Sequence, residues 1–210
     1  SYVGGALGKS AYANVTNVDV TGDTGSYVKA DSVQGSVAYR TYLGGLIGFM
    51  GEGNHSVTDC DVKIDVIGST CDIGGILGIL HYGNTMSNCT YVGSLTITDP
   101  DPEQGNEFGA LTGVVMNSKS ETTIKNSSAT VIKATSGSED VTDSITAHGG
   151  FYNSLDSNEN ESGTVSIEAT VNKKPVTVDN YAAVVENTKY KTLSAAITAA
   201  NGMADTDKSP

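Results

Sequence analysis

The sequence predicts an all-β protein, a parallel β-helix of about five irregular coils that is followed by a short C-terminal helix. Two observations predict this fold. A glycine-rich apolar motif recurs five times at intervals of 30 to 40 residues, and a second motif of short β-branched segments follows each of its first four copies. Because units of this size cannot bury their own apolar face, they must stack on their neighbours.

The first motif joins an apolar residue to a glycine pair and a further apolar pair. Its copies are residues 3–8, 43–48, 73–78, 108–113 and a degraded copy at 148–153. Glycine permits positive φ and close backbone approach, so the pairs are expected at strand ends or corners. We expect Gly5, Gly45 and Gly75 to stack along one edge.

The second motif alternates β-branched and polar residues, a pattern typical of strands. Its copies are residues 14–20, 56–62, 85–91 and 123–129. When the copies are aligned, one column is apolar and is predicted to form an inward stack. Its members are Val15, Val57, Met86 and Ile124.

A second aligned column consists of polar turn residues. Its members are Asn17, Asp59, Asn88 and Asn126. Asn and Asp tolerate the left-handed backbone conformation and bond to their own backbone. The column is therefore predicted to be a ladder of turns.

The character of the chain changes near its C-terminus, and we divide it into residues 1–171, the repeat domain, and residues 172–210. The second part begins with predicted strands at 175–178 and 181–186. An Ala-rich helix is predicted over 193–200, with Thr192 as its N-cap and Asn201-Gly202 as its stop. This helix either caps the repeat domain or begins a following module.

The V/L/I-G-G-x-L/I-G run, followed by a T-x-C or N-x-V strand, resembles the GLUG-motif repeats, and the resemblance covers residues 1–135. Such repeats occur in bacterial surface adhesins, in large secreted gut-bacterial proteins and as accessory regions of some immunoglobulin A peptidases. Residues 183–202 resemble the opening of pectate-lyase-like right-handed β-helix domains. The resemblances imply a right-handed solenoid on a bacterial cell surface and supply no catalytic residues.

The composition excludes some partners. The net charge is -12, and Arg40 is the only arginine. Nucleic acids and anionic membranes are bound by clustered Lys and Arg, so neither is an expected partner. No apolar stretch is long enough to span a membrane. Because the chain starts within an apolar glycine-rich run, we expect it to be part of a longer multidomain protein.

The cysteines predict packing rather than metal binding. Cys60 and Cys89 fall in one column of adjacent repeats, which would place their Cα atoms about 5 Å apart. A stacked pair of thiols is favoured over a disulfide, because nearly parallel Cβ vectors fit the disulfide dihedral poorly. Cys71 lies outside the column. No Cys/His cluster with zinc spacing is present.

The sequence offers weak candidate ligands for one metal, calcium. No other cofactor is expected. The carboxylates fall in two groups, one within a single coil and one in a Pro-containing insertion. The first group is Asp59, Asp61, Asp65 and Asp72; the second is Asp99, Asp101 and Glu103. Neither an EF-hand loop nor the nonapeptide calcium repeat is present.

Catalysis is an alternative, because polysaccharide lyases and glycosidases also use β-helices. A glycosidase needs two carboxylates across a groove, and Arg40 has no obvious acid partner for lyase chemistry. Four tyrosines could present rings to a sugar or serve in sheets. They are Tyr39, Tyr42, Tyr82 and Tyr91. His81 is expected to be a surface histidine.

The leading hypothesis is a non-catalytic, extracellular module of a bacterial surface protein that adheres to a host-surface protein or glycan, or serves as a rigid stalk. The stacked repeats, the acidic surface and the lack of a catalytic set favour it. The alternatives are a polysaccharide lyase or glycosidase, and an accessory region of a surface peptidase.

Overall fold

A computed structural model of the chain describes residues 1–31, 41–51, 53–100, 107–117, 120–153, 165–179, 183–185 and 188–190. Within these ranges the protein is all β, and none of the described residues lies in a helix. The strands are β1 (Tyr2–Gly4), β2 (Leu7–Ser10), β3 (Val15–Thr16), β4 (Val20–Thr21), β5 (Tyr27–Asp31), β6 (Thr41–Gly44), β7 (Ile47–Met50), β8 (Ser56–Thr58), β9 (Asp61–Lys63), β10 (Asp65–Ser69), β11 (Cys71–Gly74), β12 (Leu77–Leu80), β13 (Thr85–Ser87), β14 (Thr90–Ile97), β15 (Phe108–Gly109), β16 (Thr112–Asn117), β17 (Thr122–Ser136), β18 (Glu139–Asp140), β19 (His148–Asn153), β20 (Val165–Val171), β21 (Lys174–Asp179), β22 (Ala183–Val185) and β23 (Thr188–Tyr190).

Strands from successive repeats pair in parallel and form three curled sheets. The first sheet has the order β1-β6-β11-β15, and the second has the order β2-β7-β12-β16-β19. The third and largest sheet contains the strands of the second motif, among them β3, β8, β13 and β17. In each of the first four repeats the chain therefore visits the three sheets in the same order, and the fifth repeat contributes β19 to the second sheet and β20 to the third.

The predicted apolar stack is confirmed. In the third sheet Val15 pairs with Val57, and Val57 pairs with Met86. Met86 in turn pairs with Ile124. All four side chains are buried, and Val57 and Met86 are completely inaccessible. Burying a side chain of this size contributes about 1.5–3 kcal/mol, so the column is a principal source of stability.

The glycine pairs lie where the chain passes from the first sheet to the second. The amide of Gly5 donates to the carbonyl of Gly45 at 3.1 Å, and a Cβ on Gly45 would overlap the carbonyl oxygen of Gly75. The predicted stack of these three glycines is therefore confirmed. The preceding glycine is equally constrained, because a Cβ on Gly44 would overlap the carbonyl oxygen of Ile47.

The left-handed backbone expected of the polar column is also confirmed, although Asn126 lies at a register shift within β17 rather than in a turn between strands. All four members of the polar column adopt a left-handed conformation. Their φ angles are 55° at Asn17, 54° at Asp59, 54° at Asn88 and 50° at Asn126. Asn and Asp are the non-glycine residues that adopt this conformation most readily, which explains why the column contains only these two types.

Towards the C-terminus the pairing changes from parallel to antiparallel. Strands β20 and β21 form a hairpin whose turn residues, Asn172 and Lys173, both have positive φ. Such a two-residue turn matches the twist of a hairpin. The predicted strand at 175–178 is confirmed as part of β21, and β22 lies within the predicted strand at 181–186.

The predicted C-terminal helix over 193–200 lies outside the described residues. The division of the chain at residue 171 stays a prediction. No helix long and apolar enough to cross a membrane is found in the described part of the chain.

Candidate functional site

An aromatic surface lies on the first repeats, and its first two rings come from the first sheet. Tyr2 in β1 pairs in register with Tyr42 in β6, while their neighbours Val3 and Leu43 face the interior. Since successive side chains of a strand point to opposite faces, the two tyrosines face outwards. Their rings stack with centroids 5.9 Å apart and planes inclined by 10°. Tyr2 is 42% exposed.

The second sheet adds a third ring, and the corner after β12 adds two more. The Phe49 centroid lies 4.6 Å from that of Tyr2. His81 continues the row at 5.6 Å from Phe49, and Tyr82 lies 4.4 Å from His81. We call the set Tyr2, Tyr42, Phe49, His81 and Tyr82 the aromatic surface. It runs across three successive repeats of the fold.

A single cation is fixed against these rings. Lys9 pairs with Phe49 in the register of β2 and β7, so the sheet itself sets its position. Its Nζ lies 5.1 Å from the Phe49 centroid and 5.7 Å from the Tyr2 centroid. An ammonium within about 6 Å of a ring centroid is attracted by the ring quadrupole. The rings therefore hold the charged end of Lys9 over the aromatic surface.

Beside this cation lies a cavity of about 180 Å³, which we call the ring cavity. Its described lining residues are Lys9, Ala11, Tyr12, Phe49, Gly51 and His81. Tyr12 is 78% exposed, and its ring meets that of His55 edge-on at 6.1 Å. The backbone φ of Tyr12 is 67°, a left-handed conformation that is unusual for a residue with a bulky side chain. The volume is close to the roughly 150 Å³ of a cavity that accommodates one benzene ring.

The sequence identified only part of this site. Of the four tyrosines that it offered for sugar contact, Tyr42 and Tyr82 lie in the aromatic surface, and Tyr39 lies outside the described residues. Tyr91 takes the other role that the sequence offered, a place within a sheet, because it is completely buried in β14 and its hydroxyl donates a hydrogen bond to the Ser94 carbonyl at 3.0 Å. Burial also raises the pKa of Tyr91.

Four contributors were missed by sequence reasoning: Tyr2, Lys9, Tyr12 and Phe49. A signal was present for Tyr2 and Tyr42, since each directly precedes the apolar residue that opens the first motif. A comparable signal joins Lys9 to Phe49, since each directly follows the last glycine of its copy of the first motif. The alternation within the motif does not show, however, which outward residues of the first and second sheets will meet.

The calcium candidates are engaged in bonds between repeats. The Asp59 carboxylate accepts a hydrogen bond from the Asn88 side-chain amide at 3.0 Å. The Asp61 carboxylate accepts one from the Thr90 hydroxyl. In both pairs the donor follows the acceptor by 29 residues, which is the length of one repeat. These acids are therefore hydrogen-bond acceptors along the stack.

The remaining described candidates continue this pattern. Asp65 accepts from the Ser94 amide at 2.7 Å, and Asp72, which is buried, accepts from the Glu107 amide at 3.0 Å. Asp99 is exposed, whereas Asp101 and Glu103 lie outside the described residues. Among the described residues, no group of three or more His, Cys, Asp or Glu could hold a metal ion.

The three cysteines are buried and form no disulfide. The thiols of Cys60 and Cys89 donate to the carbonyls of Thr58 and Ser87, each at 3.2 Å. The predicted column of thiols is thus present. Hydrogen bonding between the two thiols lowers the pKa of Cys60 to about 7 and raises the pKa of Cys89. Burial raises the pKa of Cys71 to about 12.

Fold and site together define an all-β repeat protein that displays a row of rings, a cation and a small cavity on one side. Comparison of the chain with protein-family models, with curated proteins and with solved structures finds no match. The inference of function therefore depends on the geometry of the site.

Proposed function

We propose that this chain is a right-handed parallel β-helix module of the GLUG-motif type, that it is extracellular on a bacterial surface protein, and that it binds glycans without catalysis. The observation that carries the proposal is the ring cavity, where Tyr12, Phe49 and His81 surround a space the size of one six-membered ring.

The β-helix is supported by the pairing of equivalent strands. Each of the first four repeats contributes strands to the same three sheets, and equivalent residues of successive repeats pair in parallel. The apolar column of the third sheet extends to Ile167, which pairs with Ile124. A stack in which each unit contacts only its neighbours has the organisation of a solenoid. The right hand is taken from the resemblance of residues 183–202.

Glycan binding is supported by the chemistry of the lining. A pyranose has faces of C–H groups and a rim of hydroxyls, so it needs a flat apolar partner beside hydrogen-bonding groups. Tyr12 offers a ring face and a phenol hydroxyl, and Lys9 offers donors at the same rim. Because the lysine and Phe49 are mounted on paired strands, little conformational entropy is lost on binding.

A binding role without catalysis is supported by the use made of the acids. A glycosidase needs a pair of carboxylates across a groove. Asp59, Asp61 and Asp65 instead accept hydrogen bonds from the following repeat. The described lining of the ring cavity contains no carboxylate.

A glycan array followed by saturation-transfer NMR tests the proposal. We expect Tyr12→Ala to weaken binding by about three- to tenfold, which is the value of one aromatic contact. Tyr27→Ala is the matched control, since Tyr27 is 57% exposed but lies on β5 in the third sheet. Equal losses in both variants, or no bound glycan, would contradict glycan binding. Release of reducing ends from polysaccharides would contradict the absence of catalysis.

A further inference from the structure

We propose that the ring cavity takes a sugar residue bearing a carboxylate, a uronic acid, with Lys9 as the residue that binds the carboxylate. This inference rests on the proposed glycan binding and specifies its ligand class. It starts from the charge of Lys9, for which the described residues provide no ion pair.

No described residue forms an ion pair with Lys9. Of the described residues that line the cavity, Lys9 alone carries a fixed charge. Among ion pairs between described residues, the structure gives Lys29 with Asp31 at 3.0 Å and none for Lys9. The whole chain carries a net charge of -12. A cation that lines a cavity and has no ion-pair partner among the described residues is a site for an anionic group.

The geometry directs this cation towards a ligand. Nζ of Lys9 is held over the rings of Tyr2 and Phe49. The rings attract the ammonium, but they do not accept the strong hydrogen bonds that a carboxylate would accept from it. An ammonium has three donors. A carboxylate on the sugar would take these donors while the sugar ring lies against Tyr12.

The size of the cavity and the net charge of the chain narrow the class of ligand further. The volume of about 180 Å³ is sufficient for one ring and insufficient for several. The net charge of -12 also opposes the approach of an extended polyanion. The expected ligand is therefore a single or terminal uronic acid residue of a glycan rather than a continuous polyuronate.

A matched pair of sugars isolates the carboxylate. Methyl β-D-glucuronide and methyl β-D-glucoside share ring and anomer and differ only at C6, and both are titrated into the full chain by NMR. We expect the glucuronide to bind about fivefold more tightly, as one exposed charge-assisted contact provides. Its affinity, and not that of the glucoside, should fall between about 20 and about 500 mM NaCl.

Variants of the lysine complete the test. Lys9→Met keeps the apolar stem and should remove the preference for the glucuronide, whereas Lys9→Arg should keep it. Lys29→Met, on β5 of the third sheet, removes the same charge elsewhere and should change nothing. Circular dichroism checks the fold of each variant, and the salt series on the unaltered protein does not depend on any variant.

The outcomes separate the two proposals. Equal binding of the two sugars, lost in Tyr12→Ala, would overturn the carboxylate specificity and leave glycan binding intact. A preference for the glucuronide that persists in Lys9→Met would overturn the role of Lys9. Binding of neither sugar, together with an empty glycan array, would overturn both proposals.

Discussion

The side-chain amide of Asn88 donates a hydrogen bond to the Asp59 carboxylate at 3.0 Å, and both residues have a φ of 54°. The two residues occupy the same position in consecutive repeats. At this step of the column the two residues therefore turn the backbone and also join one turn to the next. This double use explains why the column is recognisable although the sequences around it vary.

Substitution of Asn88 separates these two contributions. Asn88→Ala is expected to lower the free energy of unfolding by about 1–2 kcal/mol, because alanine is strained in the left-handed conformation and the bond to Asp59 is lost. Asn88→Gly loses the same bond without the strain, so its cost should be smaller. Urea unfolding followed by circular dichroism measures both. A larger loss for glycine than for alanine would show that the conformation does not matter.

The turn ladder and the apolar stack could be predicted because the repeat fixes register, and register fixes which residues become neighbours. The same alignment contained a signal for Tyr91 that was overlooked. Tyr91 pairs with Val62, and Val62 pairs with Val20, so all three belong to one column. A tyrosine in a column of valines is expected to be buried, as the structure shows.

The candidate site was less predictable, because its parts come from different sheets. Lys9 and Tyr2 lie in the second and first sheets, and Tyr12 lies at a corner between strands. Which outward side chains meet there depends on the angle between the sheets and on the φ of 67° at Tyr12. Neither quantity is encoded in the spacing of the apolar residues.

Gly44 is expected to be intolerant of any side chain. A Cβ there would overlap the carbonyl oxygen of Ile47, and backbone atoms of adjacent repeats leave it no room to shift. Gly44→Ala should therefore reduce the free energy of unfolding by about 3 kcal/mol or more. Gly8→Ala is the control, since its Cβ would meet only the Tyr2 carbonyl oxygen, at 3.0 Å. Similar thermal midpoints for the two variants would show that the close packing at Gly44 is not needed.

The buried thiol of Cys71 predicts loss of stability at alkaline pH. Burial raises its pKa from 9.0 to about 12, so the unfolded chain releases the proton at a pH where the folded chain retains it. The unfolded state then binds fewer protons, and stability that is complete below pH 9.0 declines as the pH rises towards about 12.

Comparison with Cys71→Ala measures this contribution. Urea midpoints collected from about pH 8 to about pH 11 should fall with pH in both proteins, and less steeply in the variant. The other groups that titrate at alkaline pH contribute equally in the unaltered protein and in the variant, so their contributions cancel when the two slopes are subtracted. Parallel curves would show that the thiol is not kept protonated by the fold.

Asp65 distinguishes a structural role of the acids from calcium binding. Its carboxylate accepts from the Ser94 amide at 2.7 Å, directly at the register shift between Gly93 and Ser94. Asp65→Ala removes the acceptor and should cost about 1–2 kcal/mol. Asp65→Asn keeps an oxygen acceptor and should cost less than about 1 kcal/mol.

Thermal unfolding in calcium chloride and in EDTA completes this comparison. If Asp65 only accepts a hydrogen bond, the order of stability is unaltered protein, Asn variant, Ala variant, and it is the same in both solutions. A calcium ligand would behave differently, because an amide replaces a carboxylate poorly at a hard cation. The Asn variant would then lose as much stability as the Ala variant, and EDTA would lower the midpoint of the unaltered protein alone.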